Sequence, residues 1–298
     1  MKQPFVVLNT DTTKLERAAW LILRRQGIGS SDAAACLGLS PWQSRYSLWC
    51  DKRALTPLDD DNDRLHWKVV LEEPIWERYA ADNLQTTTMY AGKVLRHHML
   101  RSTEYPFMTA NPDGLVIGRE VVEIKTTHSM DAPRWDLGIP EHYVLQCTHL
   151  MIVTGERHCI LPVMHGNDVP RYFHLDYDPE IADMLVQAEL TFWEDVIDNV
   201  EPDVDSSEAS MHAVRERYRG GVQGYEVEAT EVIDRLVERA QSAMWNIKQD
   251  TAEVSEAKAT IMNFMGEAER LVYNGETLAT WRANKAGARV LRFTQEGK

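Results

Sequence analysis

Two carboxylates and a lysine stand at chemically suggestive spacing in residues 109–127, TANPDGLVIGREVVEIKTT. Asp113 follows a proline at a turn, and Glu123 and Lys125 fall in a later segment rich in β-forming residues. Side chains two residues apart on a strand share a face, and a hairpin would bring Asp113 beside them. Carboxylate oxygens are the ligands that Mg²⁺ prefers, and a lysine can offset charge on a phosphate. The pattern favours phosphodiester cleavage assisted by one or two divalent ions.

The same residues also fit a non-catalytic interpretation. Pro-Asp-Gly is a common turn, and Glu123 with Lys125 could be an exposed ion pair of little energetic weight. Two neighbours bear on the choice. Glu72 lies in a segment of helical spacing and can supply a further carboxylate ligand, whereas Gln146, in a later helical segment, can hold an attacking water. Each of these two also fits an ordinary exposed helix residue.

A third neighbouring segment could bind an anion. Arg24 and Arg25 end a helical pattern and are followed by Gly-Ile-Gly and then by Ser30 and Ser31 at the start of a short helix. Backbone N–H groups, hydroxyls and a guanidinium together form a good phosphate cradle. Plain helix capping by the serines explains the same pattern.

The elements that must position these residues alternate between helix and strand. Their order predicts an α/β core with a mixed central sheet. The expected helices cover 12–26, a short stretch ending at Gly38, 44–54, 63–82, 141–154 and 178–199, and the expected strands lie around 86–90, 93–99, 105–110, 113–117, 120–126, 157–164 and 170–176.

A polar stretch at 201–224 predicts a boundary, which divides the chain into a core of residues 1–205 and an extension of residues 206–298. Apolar positions beyond residue 231 predict two helices packed as an antiparallel hairpin. A small β-hairpin, LATWRA and ARVLRF around Asn284–Gly287, is expected to close the sequence.

Composition narrows the class of protein. The 298 residues include 46 acidic and 32 basic side chains, a net charge of −14, which argues against non-specific coating of nucleic acid. The charge is uneven, because residues 1–53 hold eight basic and four acidic residues, whereas residues 176–199 hold eight acidic and none basic. No apolar run is long enough to span a bilayer, and the N-terminus does not resemble a signal peptide. The four cysteines lack ligand spacing and are expected to be reduced thiols.

Five motifs occurring in order resemble the YqaJ-like phage recombinase exonucleases, relatives of phage lambda exonuclease within the PD-(D/E)xK nuclease superfamily. The motifs are RRQGIGSSDAAACLGLSPWQSRYSLW, W-x(3)-LE in Trp67–Glu72, ANPDGL, VEIKTT and YVLQ, and the resemblance covers about residues 17–200. It implies a restriction-endonuclease-like core with a central mixed β-sheet flanked by helices.

The resemblance also assigns roles to residues. Asp113, Glu123 and the backbone carbonyl of Ile124 are expected to bind metal, with Glu72 as the helical glutamate and its neighbour Glu73 as the alternative. The remaining expectations are Lys125 and Gln146 as catalytic residues, Arg24 and Ser31 as ligands of the 5′-phosphate of a DNA end, and Ser30, Arg25, Asn111 and Tyr143 in supporting positions.

The implied activity is Mg²⁺-dependent 5′-to-3′ degradation of linear double-stranded DNA, with two ions in each site and Mn²⁺ as a substitute. It leaves 3′ overhangs for a single-strand annealing protein of the same phage system, inside the cytoplasm of a bacterial host. Family members can form a ring-shaped trimer, and no membrane association is expected. Two alternatives remain at this point, a Cas4-like or RecB-like nuclease and a DNA-end-binding scaffold without catalysis.

Overall fold

The structure is a computed structural model that describes residues 3–58, 63–84 and 94–294, so the strand expected at 86–90 lies outside the described residues. Its helices are α1 (Arg17–Arg24), α2 (Ala33–Cys36), α3 (Arg45–Lys52), α4 (Asp63–Asn83), α5 (Ala132–Trp135), α6 (Glu141–Thr154), α7 (Pro179–Asp198), α8 (Glu208–Arg217) and α9 (Glu231–Met265). Its strands are β1 (Phe5–Asn9), β2 (Ile28–Gly29), β3 (Val94–Leu95), β4 (Met99–Ser102), β5 (Met108–Ala110), β6 (Gly114–Val116), β7 (Glu120–Val122), β8 (Lys125–Thr127), β9 (His158–His165), β10 (Arg171–Asp176), β11 (Arg270–Tyr273), β12 (Glu276–Ala283) and β13 (Arg289–Phe293).

The central sheet is mixed, as the sequence predicts. Its strand order is β10-β9-β7-β6-β3, in which β7 and β8 run parallel to β9 and the remaining pairs are antiparallel. A second sheet has the order β1-β4-β5-β2. The strand expected over 120–126 is therefore two short strands along the same partner, interrupted at Glu123 and Ile124. This interruption is where the candidate site lies.

Helices cover both faces of the central sheet. Alternate strand residues serve the two faces: Leu115 and Val121 belong to the core cluster on the α6 side, whereas Val116 and Val122 pack with the apolar face of α4. Gly114 passes so close to α4 that an added Cβ would lie 2.1 Å from the ring of Trp76. Helix α4 and the strand that follows Asp113 are therefore in direct contact.

Local sequence explains where the site-bearing helices begin and end. Helix α3 starts at Ser44, whose hydroxyl accepts the Ser47 N–H, and α6 ends at Gly155, which adopts a positive φ of 75°. The helix expected over 12–26 is a 3₁₀ turn and then α1, because Leu15 between them has extended backbone. Helix α6 is tied to α7 by buried His149, which contacts Glu189 at 2.8 Å.

The chain divides into two compact units, Met1–Gly221 and Val222–Lys298. The second unit corrects one expectation, because α9 is a single helix of 35 residues where two antiparallel helices are predicted. No glycine or proline interrupts residues 231–265, so the backbone has no reason to turn. The β-hairpin expected at the end is present as β12 and β13, and β11 extends it to three strands.

The cysteines and the helix lengths can be compared with the sequence predictions. Cys36, Cys50, Cys147 and Cys159 are all buried and unbridged, in keeping with the expectation of free thiols. In the ranges that the structure describes, every helix is too short or too polar to cross a bilayer.

Candidate active site

The predicted carboxylates and lysine come together where β7 gives way to β8. Asp113 lies in the turn before β6, and its Oδ2 accepts the N–H of Ile124 at 2.6 Å, a bond across the interrupted strand. Glu123 is buried, and its Oε1 accepts a hydrogen bond from Lys125 Nζ at 2.6 Å. The pair is largely shielded from solvent at the strand break, with 15% of the Lys125 side chain and 8% of the Glu123 side chain exposed, unlike the exposed ion pair that the sequence also allows.

Helix α6 supplies the next groups. Gln146 Nε2 donates to the same Glu123 Oε1 at 2.7 Å, which leaves the amide oxygen of Gln146 outside this bond. Lys125 Nζ also lies 4.9 Å from the centroid of the Tyr143 ring, a cation–π distance. Tyr143 and Gln146 are three residues apart on α6 and so share a helix face. From that face Tyr143 contacts Lys125 and Gln146 contacts Glu123.

The two glutamates of α4 have different surroundings. Glu73 is 56% exposed at its side chain and pairs with Arg96 at 2.7 Å. Glu72 is partly buried and interacts electrostatically with Glu123, Lys125 and Arg96. The placement favours Glu72 over Glu73 as the helical carboxylate of the site.

Burial and like charge shape the ionisation of these carboxyl groups. Burial, reinforced by Glu123, raises the pKa of Glu72 to about 7. Burial again, followed by Glu123 and Glu72, raises the pKa of Asp113 well above its usual range. Burial opposes ionisation of Lys125, but Glu123 and Asp113 outweigh it and raise the pKa of the ammonium group. Lys125 is therefore a cation at neutral pH, beside carboxyl groups that resist carrying their charges together.

Arg96 is a site-supporting residue that the sequence reasoning missed. Its Nε donates to the backbone carbonyl of Asp113 at 2.9 Å, its Nη1 contacts Glu73, and its guanidinium lies 4.6 Å from the centroid of the Trp76 ring. Its Nη2 is buried and has no hydrogen-bond partner among the residues that the structure describes. Arg96 thus joins the Asp113 turn to α4. A lone arginine before a histidine pair carries no spacing signal, so only the fold identifies it.

The predicted phosphate cradle forms at the end of α1. Arg24 Nη2 donates to Ser31 Oγ at 2.6 Å and lies 3.2 Å from Asp32, and its guanidinium stacks on Trp20 at 4.9 Å. Buried Lys52 contacts the other Asp32 oxygen at 2.6 Å. Burial opposes ionisation of Asp32, but Lys52 and then Arg24 lower its pKa to about 2. The Asp32 carboxylate is therefore ionised at neutral pH, and its ion pairs with Lys52 and Arg24 hold the turn in place.

Arg24 and Ser31 line an open cleft of about 740 Å³ that a substrate group could enter. The predicted supporting residues Arg25, Ser30 and Asn111 make different contacts. Arg25 points away to Asp51 and to the carbonyls of Thr56 and Pro57, so its role is to hold the chain. Ser30 is buried in the turn, and the buried Oδ1 of Asn111 lacks a hydrogen-bond partner within the described part of the chain.

The donor set fits a hard divalent cation in its chemistry. Asp113, Glu123 and Glu72 offer carboxylate oxygens. Burial, and after it the charge of Glu123, raises the pKa values of Glu72 and Asp113, and a bound cation would favour their ionised forms. Among residues 3–58, 63–84 and 94–294, no three Asp, Glu, His or Cys side chains converge closely enough to hold an ion in their present rotamers. Lys125 and Gln146 both occupy Oε1 of Glu123, so its other oxygen is the one available to an ion.

The mixed sheet between two helical layers, with carboxylates and a lysine at its strand break, defines a protein of the restriction-endonuclease-like α/β class. Residues 19–157 match the family described as the YqaJ-like viral recombinase domain, which confirms the resemblance predicted from the motifs. The matched region contains every predicted site residue, from Arg24 to Gln146.

A relative in sequence and a neighbour in structure are also similar to this chain. The protein YqaJ of Bacillus subtilis (strain 168) is 28% identical over 278 residues, which cover 91% of this chain and 84% of the relative. An alkaline exonuclease, LHK-Exo of Laribacter hongkongensis, is similar in structure with a TM-score of 0.51 at 18% identity, over 62% of this chain and 94% of that one. The same enzyme in complex with dAMP matches equally well. At this identity the structural similarity supports the fold.

Proposed function

We propose that this protein is a Mg²⁺-dependent exonuclease that degrades linear double-stranded DNA from its 5′ ends and leaves 3′ overhangs for phage recombination. The observation that carries the proposal is the convergence of Asp113, Glu123, Lys125 and Gln146 at one break in the central sheet. A DNA-end-binding scaffold has no need of all four groups, and keeping two carboxylates together in a partly buried site costs electrostatic free energy.

The proposed ligands of the metal are Asp113, Glu123 and Glu72 with the Ile124 carbonyl. Two bound Mg²⁺ ions, or Mn²⁺ in their place, would stabilise the attacking and leaving oxygens of the phosphodiester. Lys125, which stays charged at neutral pH, donates to an oxygen of the scissile phosphate and balances its developing charge. Gln146 gives its N–H to Glu123, so its carbonyl oxygen is left to accept a hydrogen bond from the attacking water.

The proposed DNA-end site is the cleft beside Arg24 and Ser31. A 5′-phosphate would accept from the guanidinium and the hydroxyl, which already contact each other at 2.6 Å. The net charge of −14 does not oppose this, because the cradle lies in the segment with an excess of basic residues. The protein is proposed to grip one end of a duplex and not to coat its length.

The resemblance extends the proposal to partners. The overhang would pass to a single-strand annealing protein of the same phage system, in the cytoplasm of the bacterial host. A homotrimeric ring around the duplex would explain how digestion continues along the DNA. Both follow from similarity to the recombinase family matched by residues 19–157.

The decisive experiment is digestion of a 5′-phosphorylated linear duplex, compared with closed circular DNA of the same sequence. We expect the linear duplex to be degraded from its 5′ ends to mononucleotides in Mg²⁺ and spared in EDTA, while the circle survives. Strands labelled separately at each 5′ and 3′ end establish the polarity. A linear duplex that stays intact through long incubation with Mg²⁺ or Mn²⁺ would contradict the proposal and favour the scaffold.

The Cas4-like alternative requires an iron–sulfur cluster. The four cysteines lie on different elements, namely α2, α3, α6 and β9, and all are buried. Four thiolates on one cluster must converge at one point, and these do not do so in the part of the chain that the structure describes. The arrangement favours the exonuclease.

A further inference from the structure

Trp42 is an exposed aromatic side chain on a well-held loop. Its side chain lies in the segment between α2 and α3 and is 66% exposed. The loop itself is fixed, because Ser40 Oγ accepts the N–H groups of Trp42 and Gln43 at 3.3 and 3.2 Å. A large apolar ring that is held in water at a fixed position is a candidate for contact with a ligand.

Trp42 lies between the two parts of the candidate active site. One side of its ring meets His142 edge-on at 4.8 Å between centroids and Tyr143 at 6.0 Å, and Tyr143 lies against Lys125. Trp42 also lines the cleft that contains Arg24 and Ser31. The ring therefore borders the cleft of the phosphate cradle on one side and, on the other, Tyr143, which contacts the catalytic lysine.

The covalent structure of a DNA strand indicates which group would lie against Trp42. Consecutive phosphates are joined by one nucleoside, so a strand that places its 5′-phosphate on Arg24 and a following phosphate near Lys125 must place a nucleoside between them. Every base has a flat π face, and stacking on an aromatic side chain is independent of sequence. On the basis of the proposed function, we propose that Trp42 stacks on the base of the 5′-terminal nucleotide and so positions the scissile bond.

The test measures the coupling between Trp42 and the terminal base by binding in EDTA, where no cleavage occurs. Fluorescence anisotropy compares a 5′-phosphorylated duplex end carrying a normal terminal nucleotide with one in which that nucleotide is abasic. We expect the wild-type chain to bind the normal end about tenfold more tightly, the range of one base–aromatic stack. Trp42→Ala should bind both ends equally, whereas Trp42→Phe should keep the preference.

A matched control is Trp245→Ala, which removes an aromatic of similar exposure, 63%, from α9 and should leave the wild-type preference intact. Circular dichroism melts check that each variant folds. A Trp42→Ala chain that keeps the wild-type preference for the normal end overturns the proposal, as does a wild-type chain with no preference.

The same variants in Mg²⁺ separate this proposal from the proposed function. If the wild-type chain cleaves DNA, the kcat/KM ratio for normal over abasic ends should fall towards one in Trp42→Ala. If it cleaves nothing, the exonuclease proposal fails while the binding comparison still decides the role of Trp42.

Discussion

At the scale of single residues, Lys125 is the cation on which the proposed chemistry depends. Its ammonium group is held by Glu123 at 2.6 Å and by the face of Tyr143. We predict that Lys125→Ala lowers the rate of DNA cleavage by about 100-fold or more, because a preorganised charge beside the phosphate is lost. A labelled-duplex assay measures the rate, and metal-free binding of DNA ends should persist.

The matched control for that prediction is Lys14→Ala. Lys14 is 81% exposed, and its ammonium group pairs with Asp11 at 2.8 Å. Its removal should leave the cleavage rate unchanged. Equal rates for the Lys125 variant and the Lys14 variant would remove Lys125 from the mechanism.

Glu72 and its neighbour offer a second comparison of single residues. We predict that Glu72→Gln abolishes most of the Mg²⁺-dependent cleavage, whereas Glu73→Gln retains it, because Glu73 is committed to Arg96 at the surface. The measurement is cleavage rate against Mg²⁺ concentration for both variants. If only Glu73→Gln lost activity, Glu73 and not Glu72 would be the metal ligand.

The raised pKa of Glu72 also gives that residue a signature in stability. The folded pKa of about 7 exceeds the usual 4.5, so the folded state holds the proton more tightly. Without divalent ions, the free energy of unfolding should therefore fall as pH rises from 4.5 to about 7, by about 3 kcal/mol at most. Denaturant unfolding at several pH values measures this fall. The fall should be smaller in Glu72→Gln. Identical pH profiles for the wild-type chain and this variant would show that Glu72 does not have the raised pKa.

At the scale of elements, the turn Ser30–Asp32 is secured to α3 by the Lys52–Asp32 pair. Both side chains are almost fully buried, at 1% and 5% exposure. Removing one partner leaves the other charge buried and uncompensated, so Asp32→Asn should lower the free energy of unfolding by about 3–5 kcal/mol. Urea unfolding measures the loss.

The pH dependence of that pair has a defined sign. Because the folded pKa of Asp32 is lowered to about 2 from 3.8, its stabilisation is present above pH 3.8 and is lost as pH falls through 2. The control is Asp136→Asn, which removes a carboxylate from an exposed pair with Arg171 and should barely change the unfolding midpoint. Equal midpoint shifts for the two variants would show that burial of the Asp32 pair is unimportant.

The elements also explain how far the sequence could predict the structure. Periodicity identified α6 and α7 because their apolar residues are buried, those of α6 against the sheet and those of α7 against α6 and α2. Alternation identified β6 and β7. The break at Glu123 was not predictable, because it depends on the Asp113 carboxylate bonding the N–H of Ile124 from a distant turn. The error at α9 came from assigning two successive groups of apolar positions to two helices, although no glycine or proline between them stops a helix.

The candidate site also contains residues that the sequence could predict and residues that it could not. Strand alternation and a hairpin predict that Asp113, Glu123 and Lys125 lie together, as they do. Spacing alone left their role and that of Gln146 open, and the family resemblance assigned both. Arg96 was not predictable, since its value lies in joining α4 to the Asp113 turn, a contact between segments far apart in sequence. The choice between Glu72 and Glu73 required the helix to be placed against the sheet.

At the scale of the whole molecule, the question is which part of the chain is sufficient for the activity. The compact unit Met1–Gly221 contains both parts of the candidate site, whereas the sequence places the boundary at residue 205. Helix α8 lies between these limits. Its Ser210 bonds Ser44, the N-cap of α3, at 2.7 Å, and its Arg217 bonds the Tyr46 hydroxyl at 3.0 Å. Because α3 also carries Lys52, α8 supports the element that holds the phosphate cradle.

We therefore predict that a chain of residues 1–221 unfolds cooperatively, binds 5′-phosphorylated ends and cleaves linear DNA at a rate close to that of the full chain. A chain of residues 1–205 should be markedly less stable, because Ser210 and Ala213 leave the surface of α3 that they bury. Thermal melts and the labelled-duplex assay compare the two, with Lys125→Ala in the longer one as the inactive control. Equal stability would place the boundary at 205, and a folded but inactive 1–221 chain would assign part of the activity to residues 222–298.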